Sequence, residues 1–122
     1  MLNKIEKLDY SNLFVNKMKP IGLSFPEQVI SGDPQESALS ILDLESSAVS
    51  LGVWRSEAGQ VKFDAYPVSE ICWIVDGELN LHSTDDIYTF SKGDVFFIQK
   101  GIEVTWTMSK PLTKYYIELL EY

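Results

Sequence analysis

Histidine and cysteine each occur once in 122 residues, as His82 and Cys72. A single cysteine excludes an intrachain disulfide and is compatible with a reducing cytosol. A single histidine makes a Ser-His-Asp triad hard to assemble and leaves any transition-metal site short of imidazole ligands. Basic residues are scarce as well. Ten lysines and arginines stand against 18 aspartates and glutamates, a formal net charge of −8. Such a surface repels phosphate backbones and anionic lipid, which argues against nucleic-acid and membrane partners and favours solubility. No apolar run approaches membrane-spanning length, and residues 1–20 lack an apolar core followed by a small-residue cleavage site, so a cytoplasmic protein is expected. Internal repeats and low-complexity stretches are absent too.

What is present is enough for one domain. The apolar fraction of 45% is ordinary, and the 12% of aromatic residues favours a packed β core. Residues 1–26 read as an N-terminal arm, with Leu2, Ile5, Leu8, Leu13 and Phe14 suggesting one or two short amphipathic helical turns. Pro20 and Pro26 then impose extended chain. Residues 27–122 read as a barrel of short strands. Expected strands are Ala38–Asp43, Val49–Arg55, Gln60–Ala65, Glu70–Val75, Glu78–His82, Ile87–Phe90, Asp94–Ile98, Val104–Met108 and Thr113–Leu120. Gly32-Asp33-Pro34 and Glu57-Ala58-Gly59 are turns, and Asp76-Gly77 is the strongest hairpin signal. Many short strands with no helix between them argue for an antiparallel sandwich or barrel.

Two frames carry a resemblance. In the first, six residues separate Glu70 from Gly77; in the second, Gly93-Asp94 is followed by Gly101, and fifteen residues lie between Gly77 and Gly93. Gly52-Val53-Trp54, Tyr66-Pro67, Glu70-Ile71-Cys72-Trp73, Thr105-Trp106 and Lys114-Tyr115-Tyr116 accompany them in order. Together these resemble the small single-domain cupins of the ethanolamine-utilisation and ureidoglycolate-related type, over about Leu51 to Tyr122. The resemblance implies an all-β cupin jelly-roll barrel, the double-stranded β-helix, preceded here by the short arm. It also locates what is missing. With Glu70 aligned to the cupin glutamate, the two histidine positions of the first motif fall on Asp64 and Tyr66, or on Phe63 and Ala65. The second-motif histidine falls on Val104, its proline on Gln99 and its asparagine on Met108. A transition metal needs about three or four ligands, whereas Glu70 and Asp64 supply two at most, so no metal and no cofactor is expected.

The candidate site therefore rests on other side chains. By alternation Glu70, Cys72 and Ile74 share one strand face, which the resemblance turns into the barrel. A buried Glu70 is a candidate general acid or base, or a hydrogen-bonding anchor; the plainer reading is a carboxylate satisfied by Lys114 or a tyrosine. Cys72 reads as a buried thiol that lacks a histidine base, although a lysine could activate it. Trp54, Tyr66, Trp106 and Tyr116 are candidate walls of a pocket, or else core filling. Lys114 is the natural partner of Glu70 if it faces inward, and the sequence leaves its direction open. His82 points away from Leu79 and Leu81, towards solvent or a rim. Asp85-Asp86 and Asp43/Glu45 read as exposed loop charge.

Three functions remain open: a metal-independent binding protein for a small polar metabolite, with Trp54, Tyr66, Glu70, Cys72, Trp106, Lys114 and Tyr116 at the site; an isomerase- or epimerase-like enzyme using Glu70 as acid and base with a tyrosine partner; and a structural or interaction module whose barrel is filled. A homodimer is expected, because exposed barrel edges favour strand addition or arm exchange.

Overall fold

The computed structural model describes residues 17–44 and 48–120, together with Ile5, Lys7 and Leu8. The helical turns expected between Leu2 and Phe14 lie outside the described residues apart from those three. Among the described residues, eleven strands run in chain order: β1 Lys19–Gly22, β2 Val29–Gly32, β3 Glu36–Leu44, β4 Val49–Ser56, β5 Gly59–Phe63, β6 Ser69–Asp76, β7 Glu78–His82, β8 Ile87–Ser91, β9 Val95–Ile98, β10 Val104–Met108 and β11 Leu112–Leu119. One 3₁₀ turn, Pro26–Gln28, separates β1 from β2. Two sheets result. One has the order β1-β3-β4-β11-β6-β9, and the other β2-β5-β10-β7-β8, with antiparallel pairing throughout. This is the jelly roll that the strand pattern and the resemblance implied. Lys19–Gly22, inside the stretch read as an arm, adds an edge strand to the larger sheet.

Period-2 alternation drives the sheets together. On β6 Glu70, Cys72 and Ile74 are buried; on β7 Leu79 and Leu81; on β9 Phe96 and Ile98; on β10 Val104, Trp106 and Met108. Apart from Glu70, these side chains form one cluster between the sheets with Phe63, Tyr66 and Leu112. Full burial of each large apolar side chain contributes about 1.5–3 kcal/mol before the entropy of ordering is subtracted. His82 ends β7 on the exposed side. On the outward side of β6 and β9, Trp73, Val95 and Phe97 stay half exposed.

Asp76-Gly77 differs from its expected form. It does not close a hairpin, because β6 pairs with β11 and β9 while β7 pairs with β10 and β8. The dipeptide is a corner at which the chain leaves one sheet for the other. Gly77 has φ +96°, and a Cβ there would collide with the Pro111 carbonyl oxygen, so the residue serves both backbone handedness and close approach. A two-residue turn signal reports the local reversal. It cannot report which strand the chain pairs with afterwards.

β11 organises the interior. It lies between β4 and β6, with Lys114 opposite Trp54 and Ile74, Tyr116 opposite Gly52 and Cys72, and Glu118 opposite Ser50 and Glu70. Cross-strand partners share a face. The register thus gathers Trp54, Glu70, Cys72, Lys114, Tyr116 and Glu118 on the inner side of three adjacent strands.

Candidate functional site

Glu70 and Lys114 meet inside the barrel. Lys114 Nζ donates to Glu70 Oε2 at 2.9 Å, and the side chains are 5% and 6% exposed. Tyr66 Oη donates to the other oxygen, Glu70 Oε1, at 2.6 Å, so both carboxylate oxygens are engaged. Tyr66 is held in place by its backbone: its N–H donates to the Ile102 carbonyl, and its own carbonyl accepts from Gly101 N–H, each at 2.8 Å. The loop between β9 and β10 therefore aims the phenol at Glu70. Lys114 Nζ also lies 3.5 Å from Cys72 Sγ. Two indoles complete its surroundings, with the Trp54 and Trp106 ring centroids at 5.0 and 4.8 Å from Nζ. The ammonium is desolvated, yet it is matched by a carboxylate and two π faces, which makes its burial tolerable.

The shifts in proton affinity follow from this packing. Burial alone would lower the Lys114 pKa, but the Cys72 sulfur and the Glu70 carboxylate outweigh it and raise it above the ordinary lysine value. Burial, then the Glu70 charge, hold the Tyr66 phenol well above 10.0. Burial pushes the Cys72 thiol up from 9.0 to about 12, despite the opposing pull of Lys114. The lysine thus does not turn Cys72 into a thiolate nucleophile at neutral pH. All three folded-state values stand above the unfolded ones. Stability from these groups is therefore complete below about pH 9 and is lost as the pH rises, because the unfolded chain releases protons that the folded chain retains. Urea midpoints should hold steady from pH 7 to 9 and fall between 9 and 12. Cys72→Ala should remove the earliest part of that fall; an unchanged profile in the variant would show that the thiol is not responsible.

Tyr66, Glu70 and Lys114 line a cavity of about 280 Å³. Its wall includes Trp54, Tyr66, Glu70, Trp106, Lys114 and Tyr116, six of the seven residues singled out from the sequence. The seventh, Cys72, sits behind the wall, fully buried against Lys114. Lys114 faces inward, which the sequence left open. The aromatic wall is continuous: Tyr66 stacks on Trp106 at 6.1 Å with 6° between the planes, and Trp54 meets Trp106 edge-on at 6.2 Å. Phe63 packs edge-on against both Tyr66 and Phe25, each at 5.1 Å.

Sequence reasoning missed two charged members of the wall, Glu36 and Glu118. Glu36 Oε1 accepts from Trp54 Nε1 at 2.8 Å and from Ser24 Oγ at 2.6 Å, and Oε2 accepts from Ser24 N–H at 2.6 Å. This carboxylate orients one indole and ties the 21–25 segment, with Ile21, Leu23 and Phe25, to the cavity. Nothing local in the sequence marks Glu36. Glu118 was within reach, since alternation from Lys114 through Tyr116 leads to it.

The family model for the EutQ-like cupin domain matches residues 44–116. The chain belongs to the EutQ-like cupin family. Solved cupin structures agree on the fold. A protein of unknown function of the DUF861 family from Pseudomonas syringae pv. tomato superposes with TM-score 0.78 at 22% identity, covering 83% of this chain and 43% of that one. The Clostridium difficile EutQ protein superposes with TM-score 0.61 at 18% identity, covering 71% and 64%. A putative ethanolamine utilization protein Q from Salmonella typhimurium superposes with TM-score 0.64 at 13% identity, covering 86% and 95%. This cupin thus spans less than two thirds of the first two proteins. No curated protein matches it.

The donor set does not suit the transition metal that many cupins hold. Of the positions aligned with metal-binding histidines, Asp64 and Ala65 are exposed, Phe63 and Val104 are apolar and buried, and Tyr66 is committed to Glu70. Glu70 is neutralised by an ammonium, which repels a second cation at the same oxygen. Among the described residues, no three His, Cys, Asp or Glu side chains converge as metal ligands.

Proposed function

We propose that this EutQ-like cupin binds a small polar metabolite in its barrel without a metal. The observation that carries the reading is the Tyr66–Glu70–Lys114 triad set into the wall of an aromatic cavity of about 280 Å³. Small-ligand sites combine apolar and aromatic walls with a few convergent polar groups, and a volume just below the range of drug-sized pockets suits a small metabolite. A cavity of this size also weighs against a barrel whose role is served by being filled. A thermal-shift screen of small polar metabolites tests the proposal. One chemical class should raise the melting temperature, by an amount corresponding to about 2.7 kcal/mol when the ligand is at a hundred times its Kd. A broad library with no stabilising member would contradict it.

The short Tyr66–Glu70 hydrogen bond favours a second reading, an isomerase-like enzyme with Glu70 as acid and base. Under that reading Glu70→Gln abolishes turnover of a stabilising metabolite while its binding persists. Under the first reading, the stabilising metabolite is not converted at all.

A further inference from the structure

Resting on the binding reading, an inventory of the cavity wall narrows the ligand. The charged side chains among the described lining residues are Glu36, Glu70, Glu118 and Lys114. None of them stands free. Glu70 and Lys114 hold each other, and Tyr66 takes the second Glu70 oxygen. Glu36 accepts from Ser24 and from Trp54 Nε1. Glu118 has an interaction of its own. The two indole faces, which would otherwise attract a cation, already carry the Lys114 ammonium. A charged ligand would therefore lose hydration without gaining a counter-ion, which is costly between aromatic walls. Hydrogen bonding gives the complement. Among the described residues of the wall, Trp106 Nε1 is the buried side-chain nitrogen or oxygen that has no hydrogen-bond partner. Trp106 is 3% exposed and stacks on Tyr66, the phenol that donates to Glu70. A buried donor without an acceptor is destabilising, and an oxygen brought by a ligand would satisfy it.

We infer that the cavity takes a small uncharged compound whose carbonyl or hydroxyl oxygen accepts a hydrogen bond from Trp106 Nε1. The aromatic wall of Trp54, Phe63 and Tyr66 receives its hydrocarbon part. Trp54 is the less buried of the two indoles and packs edge-on against Trp106 at 6.2 Å, so it is the neighbour that shifts to admit the oxygen. An organic cation meets the ammonium already seated on the indoles, and an organic anion meets a wall with more carboxylates than ammonium groups. Both are disfavoured.

Four probes built on one six-membered ring test this without knowledge of the physiological ligand. Cyclohexanone carries the neutral acceptor, methylenecyclohexane replaces that oxygen by CH2, and cyclohexylammonium and cyclohexanecarboxylate carry the two charges. In NMR titrations of the full chain, cyclohexanone should bind roughly tenfold more tightly than either ion. The chain has three tryptophans, so three indole N–H signals are expected, and the one lost in Trp106→Phe belongs to Trp106. Cyclohexanone should move that signal downfield as the N–H gains an acceptor, and methylenecyclohexane should not. Trp106→Phe, which keeps a ring and removes the donor, should weaken cyclohexanone roughly three- to tenfold relative to methylenecyclohexane. Tighter binding of either ion would overturn the inference and leave the binding reading standing. A Trp106 signal that saturating cyclohexanone does not move would also overturn it, by showing that the N–H is met by water or by nothing. Should no probe bind, the metabolite screen decides: an uncharged, oxygen-bearing class of stabilising compound that moves the Trp106 signal upholds the inference, a charged class overturns it alone, and no stabilising compound overturns the binding reading with it.

Discussion

Lys114→Met should lower the unfolding free energy by about 3–5 kcal/mol, the usual cost of removing one partner from a buried ion pair. Methionine approximates the length of the lysine stem, so the loss reports charge more than volume. The variant strands the Glu70 carboxylate at 5% exposure with one neutral donor, Tyr66, in place of a neutral donor and a cation. Glu70→Gln should cost less, because the Trp54 and Trp106 faces still accommodate the ammonium. The double variant Lys114→Met/Glu70→Gln should recover most of the loss of Lys114→Met, since neither charge is then left unpaired in the interior. Urea denaturation of the four proteins at pH 7 measures the cycle. A loss below about 1 kcal/mol for Lys114→Met would place the pair in the range of solvated surface bridges and contradict its burial.

Trp106→Ala should be comparably severe, at about 3–5 kcal/mol, because a large core side chain is deleted. Trp106 touches the three rings of Trp54, Tyr66 and Phe96 and also covers the Lys114 ammonium. Trp54→Ala removes the other indole over the same ammonium, but Trp54 is only partly buried, so its cost should be clearly smaller. The contrast separates core packing from cation contact. Thermal or urea unfolding of the two variants side by side checks it. Equal losses would mean that the interaction with Lys114 dominates both sites, and a small loss for Trp106→Ala would mean that the interior collapses readily around the missing ring.

How much of this was legible beforehand differs by residue. The strands from β3 to β11 were readable because alternation and turn residues are local signals, and the burial of Glu70, Cys72 and Ile74 on one face of β6 follows from period 2 alone. The pairing of Lys114 with Glu70 was an open alternative, because a strand pattern fixes the faces of β11 but not which of them is inward. The register of β11 with β6 decides it. Asp76-Gly77 misled in one respect: the chain reverses there but changes sheets, a choice made by the partners of β6 and β7 far away in sequence. β1 and the Ser24–Glu36–Trp54 contacts were out of reach for a similar reason. They join segments 12 and 18 residues apart through polar side chains that carry no periodic signature.

A buried ammonium–carboxylate pair, Lys114 with Glu70, lies at the centre of this EutQ-like cupin, and we propose that it takes the place of a metal there. Elemental analysis of the purified protein, paired with its melting temperature before and after treatment with a chelator, tests that most directly. Substoichiometric iron, manganese, zinc, nickel and copper are expected, with a melting temperature that the chelator leaves unchanged. A stoichiometric metal whose removal lowers the melting temperature, and whose binding is lost in Glu70→Gln, would contradict it.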